Sequence, residues 1–289
     1  MGSSSSRNPR PLIKEPWVQI NWGRGDREND LQFIRNYKPR ADNQQLRILL
    51  HGPVGAGKSS FVNSVCSLFQ GRVCTSAMVN NDVGDSCTKK FSTYRFEKDD
   101  GQNFYPFVIS DMIGLDNTSR RNRNIHVKDI KEAMKGRIKD GYTFNPECKI
   151  LKEDRHFNNS PTQSETVHVL VCVIDATTAT ELNPEVVETI KDIRDEAANL
   201  GIPQVAIFTK IDKACPKTKQ DVKDVYRSKL LRSKIKRFSK KVGIPVSCIF
   251  PVKNYTEEIK LTNDIDVLLL STMRRIINIG DDFLNKRKD

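Results

Sequence analysis

The chain has 289 residues, 37% hydrophobic and 29% charged, enough to bury a core in one large α/β domain or two small ones. No apolar run approaches the roughly 20 residues of a membrane span, and seven scattered cysteines without a Cys-x-x-Cys pair argue against a disulfide scaffold and against zinc. The net charge of +12 suits an anionic partner: nucleotide phosphate, nucleic acid or an acidic membrane surface.

In chain order, residues 1–15 are rich in Ser, Pro and Arg and read as a disordered tail. Residues 16–45 form an N-terminal segment, helical near 28–37, that packs on the domain beginning at residue 46. The apolar run 46–50 reads as a buried strand feeding a Gly loop, and 59–69 as a helix. Further strands are expected at 91–96, 105–110, 168–174, 205–209 and 245–251, and helices at 184–200, 220–241 and 264–283. Residues 139–166 are polar and irregular and read as an insert. Alternating strands and helices predict an α/β fold: a mostly parallel sheet with helices on both faces.

The strongest motif is Gly52-Pro-Val54-Gly55-Ala56-Gly57-Lys58-Ser59, a match to G-x-x-x-x-G-K-[ST] with a strand before it and the 59–69 helix after it, and Ser60 counts with it as nucleotide-binding. Glycines let backbone N–H groups converge on phosphate oxygens. Lys58 neutralises charge at the β- and γ-phosphates, and the Ser59 hydroxyl binds Mg2+. Such a loop serves ATP as well as GTP. Thr209-Lys210-Ile-Asp212, at the end of an apolar strand, argues for guanine. The Asp212 carboxylate can accept from both N1–H and the 2-amino group, whereas adenine would leave it unpaired. The Lys210 stem can cover the base plane. The common form of this motif begins with Asn rather than Thr, and Asp212 as a helix cap is the competing reading.

Asp111-Met-Ile-Gly114 follows another strand and matches D-x-x-G, with Asp111 on Mg2+ through water and the Gly114 N–H facing the γ-phosphate. Between the two motifs Thr88 is the candidate switch threonine for Mg2+ and γ-phosphate, with Ser86 and Ser92 as alternatives in the same polar stretch. Asn254 either borders the base or stabilises a turn. Together these residues predict a P-loop GTPase-like G domain using GTP or GDP with Mg2+.

The segment from Arg47 through the phosphate loop to Phe61 resembles the GTPase region of the interferon-induced protein 44 family. Residues 14–22, Tyr142-Thr-Phe-Asn-Pro146 and Pro251-Val-Lys-Asn-Tyr255 resemble it too, and the likeness runs over residues 14–280. Several members carry an extra N-terminal domain, so the likeness is to a short, GTPase-only member. It implies GTP binding, an interferon-responsive or antiviral role and a cytoplasmic location. By position, Lys58, Ser59, Asp111, Gly114 and Asp212 carry over, and with them Thr88 and Asn254.

Hydrolysis is expected to be slow. Leu115 stands where a water-orienting Gln follows D-x-x-G in small GTPases, and Val54 crowds the approach of an arginine finger. Arg120, Arg121 and Arg123 either rescue catalysis, in cis or across a homodimer, or form a solvated basic loop. The competing function is a nucleotide-gated interaction module without significant turnover. Residues 226–241 carry eight basic residues and no acidic one over a helical apolar stripe. That reads as a solvated basic face, and the lack of interleaved aromatics runs against nucleic-acid recognition. Met1-Gly2 through Ser6 fits the N-myristoylation pattern M-G-x-x-x-[ST], alongside the plainer reading of a Ser-rich start, and one acyl chain would give reversible membrane association.

Overall fold

The computed structural model describes residues 12–40, 44–75, 90–115 and 120–286, with the side chains of 120–122 outside that description. Gly2, Ser86 and Thr88 therefore lie outside the described residues, as do the side chains of Arg120 and Arg121.

Six strands form one sheet: β1 (Leu46–His51), β2 (Ser92–Glu97), β3 (Phe104–Asp111), β4 (Val169–Asp175), β5 (Gln204–Thr209) and β6 (Ile249–Pro251), in the order β2-β3-β1-β4-β5-β6. Every pairing is parallel except β2 with β3. The apolar strand runs have side chains on both faces because both faces are covered. Leu49, Leu170, Cys172, Ile174 and Phe208 point into one core, while Ile48, Leu50, Val171, Val173 and Ile207 point into the other.

The helices are α1 (Arg24–Arg35), α2 (Lys58–Gln70), α3 (Arg120–Met134), α4 (Pro184–Asn199), the short α5 (Ile211–Ala214) and α6 (Pro216–Gln220), α7 (Lys229–Val242) and α8 (Asn263–Lys286). α3, α4 and α7 cover the first face, and α1, α2 and α8 the second. α1 is clamped to α8 by Arg27–Asp266 at 2.8 Å, Arg274–Asp30 at 2.6 Å and a Tyr37 hydroxyl donating to Asp281 at 3.0 Å. No helix among the described residues is long and apolar enough to cross a membrane.

Four expectations are corrected. The basic stretch from Arg120 is helical, not a loop, and its core-facing Ile130, Ala133 and Met134 lie beyond the polar opening that concealed it. The single helix expected over 220–241 is broken, because Asp221 accepts from the Lys223 N–H at 2.9 Å and Ser228 from the Leu231 N–H at 3.2 Å. Side chains that satisfy nearby backbone donors start new turns. The strand expected from 245 is confined to Ile249–Pro251, after a 3-10 turn over Val246–Cys248. Within the stretch read as a tail, Leu12 bridges Ser228, and the Ile13 N–H donates to the Arg227 carbonyl at 2.9 Å.

Residues 139–166 are irregular, yet Tyr142, Phe144, Ile150 and Phe157 are buried in the first core. Asp129 of α3 organises them: it accepts from the Ile150 N–H at 2.8 Å and the Tyr142 hydroxyl at 3.3 Å.

Candidate functional site

The sheet order places β1 between β3 and β4, so the chain leaves β1 at a topological switch point, where open α/β sheets form crevices. Gly52 takes φ +140°, and a Cβ there would lie 2.1 Å from the Val173 carbonyl oxygen. Only glycine fits. Gly55 and Gly57 also have positive φ, and the turn delivers Lys58 to the first residue of α2.

The Lys58 ammonium is buried and donates to the carbonyls of Gly52 at 3.1 Å and Pro53 at 3.2 Å. Burial lowers its pKa, with Asp111 and Cys172 pulling the other way. Burial and the nearby Lys58 charge push His51 down to about 3, so His51 is neutral. Burial raises the Cys172 thiol to about 12.

Asp111, at the end of β3, meets the loop directly: the Ser59 hydroxyl donates to its Oδ2 at 2.7 Å. Its carboxyl is fully buried, and burial raises its pKa against the pull of Lys58 and Ser59. Asp111 Oδ1 has no hydrogen-bond partner among the described residues. Gly114 lies so close to Val54 that a Cβ would sit 2.6–2.9 Å from Val54 atoms. Backbone bonds of 3.0 Å from the Val54 N–H to the Leu115 carbonyl, and from the Leu115 N–H to the Gly52 carbonyl, stitch this segment to the loop. Leu115 itself is 3% exposed and belongs to the core.

From β5, the buried Thr209 hydroxyl is shared between the carbonyls of Ala56 at 2.6 Å and Ile174 at 3.2 Å, tying the strand end to the loop. Lys210 has φ +52°, the one positive value at a non-glycine among the described residues. That strained turn aims its ammonium at the Gly55 carbonyl, 2.8 Å away, and at Asp175, 2.7 Å away. Asp212 follows in the first turn of α5, half-buried. The helix has Lys210 as N-cap with no side-chain cap bond, which removes the helix-cap reading of Asp212. The Asn254 amide donates to the Gly57 carbonyl at 3.2 Å, and its buried Oδ1 has no partner among the described residues. Its side chain is therefore committed to the loop, not to a turn.

Asp175 was not singled out by sequence. Burial works against its charge, but bonds from Lys210 and Thr177 hold it below the ordinary carboxylate range. Its position at the end of an apolar strand was the available signal. Of the residues expected here, Gly52 to Ser60, Asp111, Gly114, Thr209, Lys210 and Asn254 are brought together, with Asp212 on the adjoining turn. Arg123 is not among them, because it pairs with Asp192 of α4 at 3.5 Å.

No family model matches the chain. Individual relatives do. Interferon-induced protein 44 is 36% identical over 89% of this chain in both Pan troglodytes and Homo sapiens, and human interferon-induced protein 44-like is 34% identical over 90%. The chain spans less than two thirds of these relatives, 57% of their length in each case. Among solved structures, a bacterial selenocysteine-specific elongation factor, EF-Sec, aligns with a TM-score of 0.41 and 13% identity, over 81% of this chain and 28% of its own. The elongation factor SelB of Methanococcus maripaludis, in complex with the GTP analogue GppNHp, aligns at 0.38 and 10%, over 83% and 34%. Likenesses this loose carry no argument about what this chain binds.

Proposed function

We propose that this chain, which belongs to the interferon-induced protein 44 and 44-like family, binds guanine nucleotide with Mg2+ and turns GTP over slowly. The observation that supports this most is that Asp111, Thr209 and Asn254, from three distant parts of the chain, bear on the same glycine loop, or on the hydroxyl beside it, that Lys58 closes from within.

In this reading the loop N–H groups and Lys58 hold the phosphates, and the Gly114 N–H faces the terminal one. The Lys58 ammonium contacts two carbonyls that a phosphate can replace. Asp212 has no hydrogen bond or ion pair among the described residues, so its carboxylate is available to the guanine edge. Lys210, held by Gly55 and Asp175, lines the base plane, and Asn254 supports the loop below it.

The donor set suits Mg2+, a hard cation that takes oxygen ligands. Ser59 Oγ and Asp111 would hold it, and the unpartnered buried Asp111 Oδ1 is an acceptor without a donor. Thr88 completes the proposed set on sequence grounds alone. When bound, the ion would neutralise phosphate charge. Titration with labelled GTP, GDP and ATP, with and without Mg2+, tests the reading. Equal affinity for ATP and GTP would sink it.

A second reading, a nucleotide-gated interaction module with negligible turnover, is favoured by one observation. Leu115 is buried and stitched to the loop, so the residue after Gly114 neither carries nor exposes a water-orienting group. A single-turnover measurement separates the two, and a rate rising with protein concentration points to activation in a homodimer. The relatives' names add induction by interferon, and the resemblance adds a cytoplasmic, antiviral role. Transcript level after interferon treatment and imaging of the tagged protein test those.

A further inference from the structure

We propose that the exposed face of α7 binds the phosphate backbone of nucleic acid without regard to base sequence. Lys229, Arg232, Lys236 and Lys240 recur along α7 on one face, and Arg237 flanks them. From Lys229 to Lys240 the row is about 16 Å long at the helical rise. Two other lysines of this helix are already used: Lys234 donates to the Thr177 carbonyl and Lys241 to that of Thr180.

The five along the row have no carboxylate partner among the described residues. The one carboxylate lining the two hollows beside the row among the described residues, Glu188, is paired with Lys191 at 3.1 Å. Spacings of three and four residues between like charges are repulsive on a helix, and a line of anions relieves them. One strand of a duplex offers a phosphate every ~3.4 Å of axis, about five over the length of this row.

The surface around the row separates nucleic acid from a bilayer. The apolar side of α7, with Leu231, Ile235, Phe238 and Val242, is buried in the domain and cannot enter acyl chains. Shallow, open hollows flank the row. One, of about 500 Å³, lies beside Ile13, and another, of about 680 Å³, lies between α4 and α7 at Leu182 and Lys191. Trp17 is engaged by Tyr226 in an edge-to-face contact and by Arg232 across its ring, and no aromatic residue lines either hollow. Without a stacking platform the surface reads charge and not bases.

The test is fluorescence anisotropy of the full chain with a labelled mixed-sequence RNA of about 20 nucleotides, single-stranded and as a duplex, from about 50 to about 250 mM KCl. Affinity should fall steeply with salt in both forms and be indifferent to sequence. Lys236→Glu with Lys240→Glu should weaken binding at least ~10-fold and flatten the salt slope by about two phosphates. Lys128→Glu with Lys152→Glu, both exposed and away from the hollows, changes net charge equally and should stay within about twofold. Guanine-nucleotide affinity and melting temperature should be unchanged in both, which keeps this test separate from the proposed nucleotide site. Equal losses in the two variants would reduce the effect to overall charge and overturn the proposal. So would absence of RNA binding at low salt, or α7-dependent capture by phosphatidylserine vesicles in its place.

Discussion

The Ser59 hydroxyl and the Asp111 carboxylate, 52 residues apart in the chain, meet at 2.7 Å. The contact joins the start of α2 to the end of β3 and is the only hydrogen bond of the Ser59 side chain among the described residues. It leaves Asp111 with one satisfied oxygen and one orphaned one, in a place without solvent. A buried carboxylate in that condition is costly unless a cation or a proton joins it.

Asp111→Asn therefore keeps the packing and removes the charge. With Mg2+ present, GTP affinity should drop about tenfold or more, roughly 1.4 kcal/mol. In EDTA the variant and the wild type should bind alike. An equal loss with and without the ion would mean that Asp111 acts on the nucleotide in some other way.

Lys58→Ala should abolish nucleotide binding while leaving the fold intact. The ammonium is buried against carbonyls, and burial already lowers its pKa, so its removal relieves a desolvated charge. A melting temperature equal to or above that of the wild type, combined with no detectable GTP binding, is the expected pair of results. Retained affinity would remove the phosphate-loop assignment.

The geometry of the glycine loop was legible because it is local: the turn forces glycine at Gly52, and Lys58 and Ser59 follow by spacing. The buried strands were legible because both-faced burial demands unbroken apolar runs. α3 was not, because Arg120-Arg-Asn-Arg precedes its core-facing residues and mimics a loop. The break before α7 was hidden too, since Asp221 and Ser228 are as compatible with a helix surface as with caps. Asp175 takes its place from a partner 35 residues away, a separation that no local pattern encodes, and Asn254 was singled out without its contact to the loop 197 residues away.

Asp129 gives a pH signature independent of any ligand. Its carboxyl is raised to about 6, chiefly by burial, with the Ile150 and Tyr142 bonds opposing. A folded-state value above the unfolded one means that the folded protein holds the proton more tightly. The associated stability is full below about pH 4 and is lost as pH rises through about 6, at most about 3 kcal/mol. Asp129→Asn keeps an acceptor for the Ile150 N–H and offers its amide to the Tyr142 oxygen, without ionising. The variant's melting temperature should gain on the wild type between pH 4 and pH 7. Parallel curves would show that Asp129 does not titrate in this range.

Leu115 sets the expectation for turnover. It is 3% exposed, inside the first core, and its backbone is paired with Gly52 and Val54. Leu115→Gln should lower stability by about 1–3 kcal/mol through burial of an amide and should not speed hydrolysis. A rise in single-turnover rate without loss of stability would show that residue 115 swings out to the nucleotide.

The base itself is tested at Asp212. Its side chain has no partner among the described residues, while its neighbours are committed: Thr209 to Ala56 and Ile174, Lys210 to Gly55 and Asp175. Selectivity in the proposed site therefore rests on one carboxylate that accepts two donors from guanine. Asp212→Asn replaces one acceptor oxygen with a donor, which opposes the guanine 2-amino group and matches the C2 carbonyl of xanthine. GTP affinity should fall by about 10²-fold or more while XTP affinity rises, because a site built to pair a polar edge rejects the analogue that leaves its groups unpaired. Since the Asp212 side chain makes no hydrogen bond or ion pair among the described residues, the unfolding free energy should stay within about 0.5 kcal/mol of the wild type, the usual range for a surface change. Competition of labelled GTP by unlabelled GTP, XTP and ATP reads all three directions at once. A uniform loss of all nucleotides would assign Asp212 to loop geometry, and unchanged GTP binding would move base recognition to another residue.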